Sequence, residues 1–212
     1  MNEYRNVICN KEGFLGPIHK ILFGKIKFQE DLYNFLIARA MDQNPDSQLD
    51  EYIFENCQHL PAGELEDVVD TTNIHGSLQS MIVIVEKKLA FTVNEIVKHN
   101  LLPWAEIVRL SGRYGELNAF PPNTSLEEAY PLIAGKILNG MPCDRVEEIV
   151  DKSDDRILWK DRIDIHGQYW TDLGLDVDKF YEIRTSVIKG LLSETRLEYT
   201  SPEKFTFELK KK

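Results

Sequence analysis

The densest run of side chains able to do chemistry is Trp159-Lys160-Asp161-Arg162-Ile163-Asp164-Ile165-His166-Gly167-Gln168-Tyr169-Trp170. It offers acids, an imidazole, an amide and large aromatics within a few residues, which is the mixture a polar pocket needs. His166 is the centre of that reading: oriented by Asp164 or Asp161 it could serve as a general base or hold a ligand by hydrogen bonding. The plainer alternative is that His166-Gly167 is turn chemistry after a strand. Arg184, with Glu182 beside it, could grip a ligand carboxylate through its planar fork, or could form only a rim contact.

Other candidates are weaker in pattern. Glu55 with His59, and Glu95 with His99, stand four apart, so each pair shares a helix face and could supply two metal ligands. The same spacing also suits a surface ion pair near a helix end, so no metal site is predicted. Cys9, Cys57 and Cys143 are odd in number and widely spaced, and read as thiols rather than a disulfide framework. Cys143 is the one carried forward as a candidate nucleophile. Phosphate-binding loops of the Gly-x-x-x-x-Gly-Lys kind, Gly-x-Gly-x-x-Gly, Gly-x-Ser-x-Gly and His-Glu-x-x-His are all missing, which argues against nucleotide hydrolysis, Rossmann cofactors and zinc proteolysis. Whether any other cofactor is used stays open.

Composition narrows the partners. The chain has 212 residues, 42% hydrophobic and 28% charged, so it can bury a sizeable core without staples. A formal net charge of −10 repels phosphate backbones and anionic lipid, so neither nucleic acid nor membrane is expected as a partner. The longest apolar stretches, such as Ser80 to Val85, fall far short of the ~20 residues of a membrane span. The opening Met-Asn-Glu-Tyr-Arg lacks the pattern of a secretory signal, and the cytoplasm is the expected location.

These residues must be positioned by the elements around them. Pro17 suits the first turn of a helix carrying Ile18, Ile21, Leu22 and Ile26, with Gly24 as a weak point, and a second helix is predicted from about Gln29 to Met41. Ser47, with Asp50 three positions on, predicts the cap of a short helix ending near His59. From Asn73 to His99 the series Ile74, Leu78, Met81, Val85, Leu89, Val93 and Ile96 marks a long central helix. Pro103 opens another, with Trp104, Ile107 and Val108 on its inner side. Gly112 to Asn123 reads as a loop dividing a helical region, 1–120, from an α+β module, 124–212.

In that module Thr124 and Ser125, with Glu127 and Glu128 three residues on, fit a capping-box pattern, followed by a hairpin of Val146–Val150 and Arg156–Ile163. Ile157, Trp159 and Ile163 share a period-two face on which Asp161 is the exception. A helix after Asp176 aligns Phe180, Ile183, Val187 and Leu191, and Gly190 within it hints at close backbone packing against the sheet. Leu197 and Tyr199, a turn at Ser201 to Lys204, and Phe205, Phe207 and Leu209 make a second hairpin. The fold class is therefore α+β: a mainly helical N-terminal half, then an antiparallel sheet with helices packed on one face.

The run Phe180-Tyr-Glu-Ile-Arg-Thr-Ser-Val-Ile-Lys-Gly-Leu-Leu-Ser193, followed by a charged hairpin ending Phe205-Thr-Phe-Glu-Leu209, resembles the end of a 4-vinyl reductase-type domain, a family similar in fold to the TRAPP trafficking subunits. The resemblance covers about residues 124–210. It implies a domain that often dimerises and commonly binds a small apolar ligand. Members of that family often carry metal-holding cysteines around the last hairpin, whereas Leu197 to Leu209 has none. Arg184-Thr185 through Gly190 is also similar to the 2-aminothiazoline-4-carboxylate hydrolase-like proteins, which would make the chain an enzyme.

Three functions stand open at this point. In the first, a small apolar or aromatic molecule is bound by Trp104, Trp159, Tyr169, Trp170 and Phe180, with Arg184 and His166 as polar anchors. In the second, a hydrolase or lyase uses His166 as base, Asp164 as orienter and Cys143 as nucleophile. In the third, the chain is an assembly protein that forms a homodimer.

Overall fold

The computed structural model describes residues 14–212; Cys9 and the Met1 to Arg5 segment lie outside the described residues. The first helix, α1, runs unbroken from Pro17 to Gln43. The two helices expected there are one. Gly24 does not interrupt it because it lies on the exposed side, where a side chain would meet nothing, while Leu22, Ile26, Tyr33 and Leu36 are buried on the other. That burial outweighs the ~1 kcal/mol a mid-helix glycine costs.

Helix α2 spans Leu49–Asn56 and α3 is the short turn Leu65–Val68. Ser47 does not cap α2: a 3₁₀ turn at Pro45–Ser47 intervenes, and Gln48 takes the cap position in a left-handed conformation. The long α4, Ile74–Lys98, starts where the sequence places it, with the Asn73 side chain accepting a hydrogen bond from the Gly76 N–H. It packs against α1 and α2 and buries Leu78, Ile82, Val85, Leu89, Val93 and Ile96.

Helix α5 spans Trp104–Leu117, so Gly112 and Gly115 belong to a helix rather than to a loop. They are there for contact with α8, Asp178–Leu191. A methyl on Gly115 would stand 2.2 Å from the Val187 carbonyl oxygen, and one on Gly190 would stand 2.2 Å from that of Gly112. Gly190 thus brings the backbone of α8 against α5, not against the sheet. The Ser186 hydroxyl reinforces the seam by donating to the Val108 carbonyl at 2.7 Å.

Helix α6, Leu126–Lys136, carries the expected capping box of Ser125 and Glu128 and contains Pro131 within it. Strands β1, Glu147–Lys152, and β2, Arg156–Asp161, form the first hairpin; β3, Leu197–Glu203, and β4, Thr206–Lys211, form the second. The sheet is antiparallel in the order β1-β2-β4-β3, with Trp159 opposite Phe207 and Ile157 opposite Leu209. Ile157, Trp159, Tyr199, Phe207 and Leu209 are buried on the face covered by α6 and α8. Phe205 is not a strand residue: it takes φ 60° in the turn, while Pro202 sits at a bulge in the outer strand β3. A short helix that the pattern does not reveal, α7 at Gly167–Thr171, leans on α4. The buried apolar side chains form one continuous core from Leu22 to Leu209, spanning both halves.

Candidate functional site

His166 immediately precedes α7. Asp164 fixes the backbone there, its Oδ1 accepting from the N–H groups of His166 (3.0 Å) and Gly167 (2.9 Å) and from the Tyr181 hydroxyl (3.2 Å). Gly167 suits that turn, because a methyl would stand 2.3 Å from Asp164 Oδ2 and would push the carboxylate off its hydrogen bonds. Asp164 therefore shapes the turn and does not orient the imidazole.

The imidazole is oriented from elsewhere. His166 Nδ1 lies 3.1 Å from Glu86 Oε2 of α4, and Nε2 lies 3.1 Å from Asn139 Oδ1. Phe180 stacks on the ring at 4.1 Å and 24°. Both groups are out of solvent, with 0% of His166 and 1% of Glu86 exposed. Glu86 Oε1 accepts in turn from Gln29 Nε2 at 3.1 Å, tying α1 to the same cluster.

Asn139 links this pair to a second. Its Nδ2 donates to Glu147 Oε1 and to Asp161 Oδ1, both at 3.0 Å, which fixes its oxygen toward His166. Arg184 donates from Nη1 to Asp161 Oδ2 at 3.3 Å and pairs with Glu147 through Nη2 at 3.7 Å. Burial pushes the Asp161 carboxyl up, and Glu147 adds to that, although Arg184 opposes it. For Arg184, burial works against the charge but the carboxylates of Asp161 and Glu147 outweigh it, so the guanidinium is held above its ordinary value. The Nε of Arg184 has no partner among the described residues.

Proton counting limits what His166 can do. Asn139 Oδ1 only accepts, so Nε2 carries a hydrogen; the contact between Nδ1 and Glu86 must hold another. Both ring nitrogens are therefore engaged, and neither presents a lone pair to a substrate.

Beside this cluster lies a cavity of about 320 Å³. Glu86 and His166 form part of its wall, with Ile82, Asp144, Ile163 and Tyr169 around them. The other expected site residues are scattered. Cys143 is exposed in a 3₁₀ turn and does not line the cavity. Trp104 is half-buried against the core away from this cavity, its Nε1 donating to Glu182 at 2.6 Å and its ring beneath Lys179. Trp159 packs under the sheet with Tyr130, Tyr199 and Phe207, and Trp170 is fully buried against Phe180. Of the five expected aromatics only Tyr169 lines the cavity, while Phe180 acts through the His166 ring. The aromatic lining expected from the sequence is thus not assembled.

His99 pairs with Glu95 at 3.2 Å as a helix-end ion pair, whereas His59 contacts the Phe54 carbonyl and Lys88 instead of Glu55. Among the described residues no group of three or more His, Cys, Asp or Glu could hold a metal, and no helix is long and apolar enough to cross a membrane. Glu86, Asn139, Glu147 and Gln29 are the members of the cluster that the sequence reading misses. A signal existed for Glu86 alone: it is a carboxylate four residues after Ile82 and three before Leu89, inside the apolar stripe of α4. Comparison with family models, with curated proteins and with solved structures finds no match for the chain.

Proposed function

We propose that the protein binds a small molecule in the cavity between α4 and the Gly140 to Tyr169 segment, with an apolar body against Ile82, Ile163 and Tyr169 and a polar end toward Glu86 and His166. The observation that carries this reading is the position of a satisfied, buried acid–imidazole pair in the wall of a cavity near the lower end of the usual ligand-site size, roughly 300–1,000 Å³. A wall held by a fixed network costs little reorganisation when a ligand arrives, which favours binding. The same saturation of both imidazole nitrogens weighs against His166 as a general base, and Cys143 stands apart from the pair. The resemblance to a 4-vinyl reductase-type, ligand-binding domain is part of the same proposal, on an order of α6, the first hairpin, α7 and α8, and the second hairpin.

Native mass spectrometry of the full chain purified from its own source tests this. The expected result is a non-covalently attached small molecule that is lost in Gln79→Trp, which plugs the cavity from an exposed position on α4. An adduct that persists unchanged in Gln79→Trp overturns the assignment. So does a chain that carries no adduct and whose melting temperature no member of a diverse apolar and aromatic ligand set shifts.

A further inference from the structure

A second cavity, of about 340 Å³, opens on another side of α4 and shares Tyr169 as part of its wall. Lys88, Cys57, Ile84, Phe91 and Leu173 also line it, together with the amides Asn56 and Gln58 and the carboxylate of Asp172. Among the lysines of the described residues Lys88 alone is buried, at 8% exposed. Among the described residues no carboxylate forms a salt bridge with it. Its Nζ lies 3.1 Å from His59 Nδ1 and 5.2 Å above the Tyr33 ring.

The hydrogens at His59 can be assigned from its partners. Nε2 lies 2.8 Å from the Phe54 carbonyl oxygen, which only accepts, so Nε2 carries the hydrogen. Nδ1 then presents its lone pair to Lys88. A buried amine in a mixed wall, with a proton acceptor at hydrogen-bond distance and no carboxylate in salt-bridge contact, is an arrangement that favours lysine as a nucleophile. Burial lowers the Lys88 pKa, with Cys57 and Glu30 acting the other way, and burial pushes the Cys57 thiol up. Of the two groups, the amine rather than the thiol is brought toward its reactive form.

We propose that Lys88 is a covalent attachment site for an apolar aldehyde seated in this cavity, joined to it as an imine. His59 Nδ1 takes one proton from the ammonium, and the free amine attacks the carbonyl carbon, forming the C–N bond of a carbinolamine. The proton returns from His59 to the carbinolamine hydroxyl as the C–O bond breaks, and water leaves. Ammonium plus aldehyde gives protonated imine plus water, so no oxidant or reductant is needed. Ile84, Phe91 and Leu173 provide the apolar seat, and the site does not depend on the ligand proposed for the first cavity.

The test uses the full chain, benzaldehyde and sodium cyanoborohydride, which fixes the imine as a benzyl amine, followed by peptide mass mapping near neutral pH. Lys87, the exposed neighbour at the mouth of the same cavity, is the internal control. An ordinary lysine is free amine to only about one part in a thousand near neutral pH, so labelling of Lys88 is expected to exceed that of Lys87 by at least about tenfold. Lys87→Arg should leave the Lys88 adduct intact, His59→Phe should cut its rate severalfold, and unfolding in urea should erase the preference. Labelling of Lys88 no faster than that of Lys87 in the native wild-type chain overturns the proposal, as does an unchanged rate in folded His59→Phe.

Discussion

Glu86 and Lys88 stand two residues apart on α4, both buried, and the chain treats their charges in opposite ways. Glu86 is closed in by His166 and Gln29 and continues through Asn139 into the ion pairs of Asp161, Glu147 and Arg184. Lys88 meets the His59 imidazole and an aromatic face, and forms no salt bridge among the described residues, with Glu30 acting on it only from a distance. The first region satisfies nearly every donor and acceptor it buries. The second leaves a positive charge without a salt bridge, beside an open cavity. Buried charge that is cancelled acts as a rigid join between elements distant in sequence, whereas buried charge that is not cancelled keeps its proton weakly and becomes chemically available.

The largest break in this contrast should come from Arg184→Met. It leaves Asp161 and Glu147 facing each other without the guanidinium, and removing one partner of a buried ion pair typically costs about 3–5 kcal/mol. Urea denaturation with an unchanged slope should show that loss, and Asp161→Asn in the same background should recover part of it. A loss within the scatter of surface substitutions would mean that these ion pairs are not what holds α8 to the first hairpin.

A ruler with no charge in it comes next. Gly190→Ala places a methyl 2.2 Å from the Gly112 carbonyl, where backbone and not a flexible side chain must yield. Overpacking of this kind costs about 1–3 kcal/mol, and the loss should be the same at every pH. A pH-dependent loss would show that the α5–α8 seam is coupled to the ion network rather than independent of it.

The contrast also explains what the sequence made legible. Helices α1, α4 and α6, the start of α5 and the two hairpins follow from periodicity and cap chemistry, because those signals are local, although α1 reads as two helices, Ser47 does not cap α2 and nothing in the pattern reveals α3. Asp161 looked like a flaw in the alternation of β2, yet the strand geometry continues through it: Asp161 faces the core to meet Arg184, while Ile163, expected on that face, lies beyond the strand and is exposed. A local rule was broken where the long-range network needed it broken. His166 was legible as a residue but not with its partner, since Glu86 lies 80 residues away and no local pattern says which carboxylate will meet it. Helix α7 was missed because five residues beginning with glycine carry too little periodicity. Gly112 and Gly115 read as loop because glycine in a helix makes sense only once the facing backbone of α8 is known.

Lys88→Met should sharpen the contrast in the opposite direction to Arg184→Met. It replaces an uncancelled buried charge with a side chain of similar length, and should stabilise the chain by about 1 kcal/mol near neutral pH. Loss of stability would mean that the contacts to His59 and Tyr33 already compensate the charge.

The smallest effects lie in the pH dependence, where the two regions should slope in opposite senses. In the folded chain Asp161 has its pKa raised above the ordinary 3.8, because burial and Glu147 outweigh Arg184, Asn139 and His166. As the pH falls through that window the folded state takes up the proton first, so this group's contribution to stability grows with acid and is complete below 3.8. Lys88 has its pKa lowered below 10.5 by burial, against the opposing influence of Cys57 and Glu30. As the pH rises toward 10.5 the folded state releases the proton first, and stability attributable to Lys88 grows with alkali. The advantage of Lys88→Met over the wild type should therefore be greatest near neutrality and shrink as the pH approaches 10.5. Asp161→Asn should leave that alkaline trend untouched and remove only the acid one. If the gap between wild type and Lys88→Met stays constant from neutral to alkaline pH, Lys88 keeps its proton as an ordinary lysine does, and the difference between the two regions reduces to geometry alone.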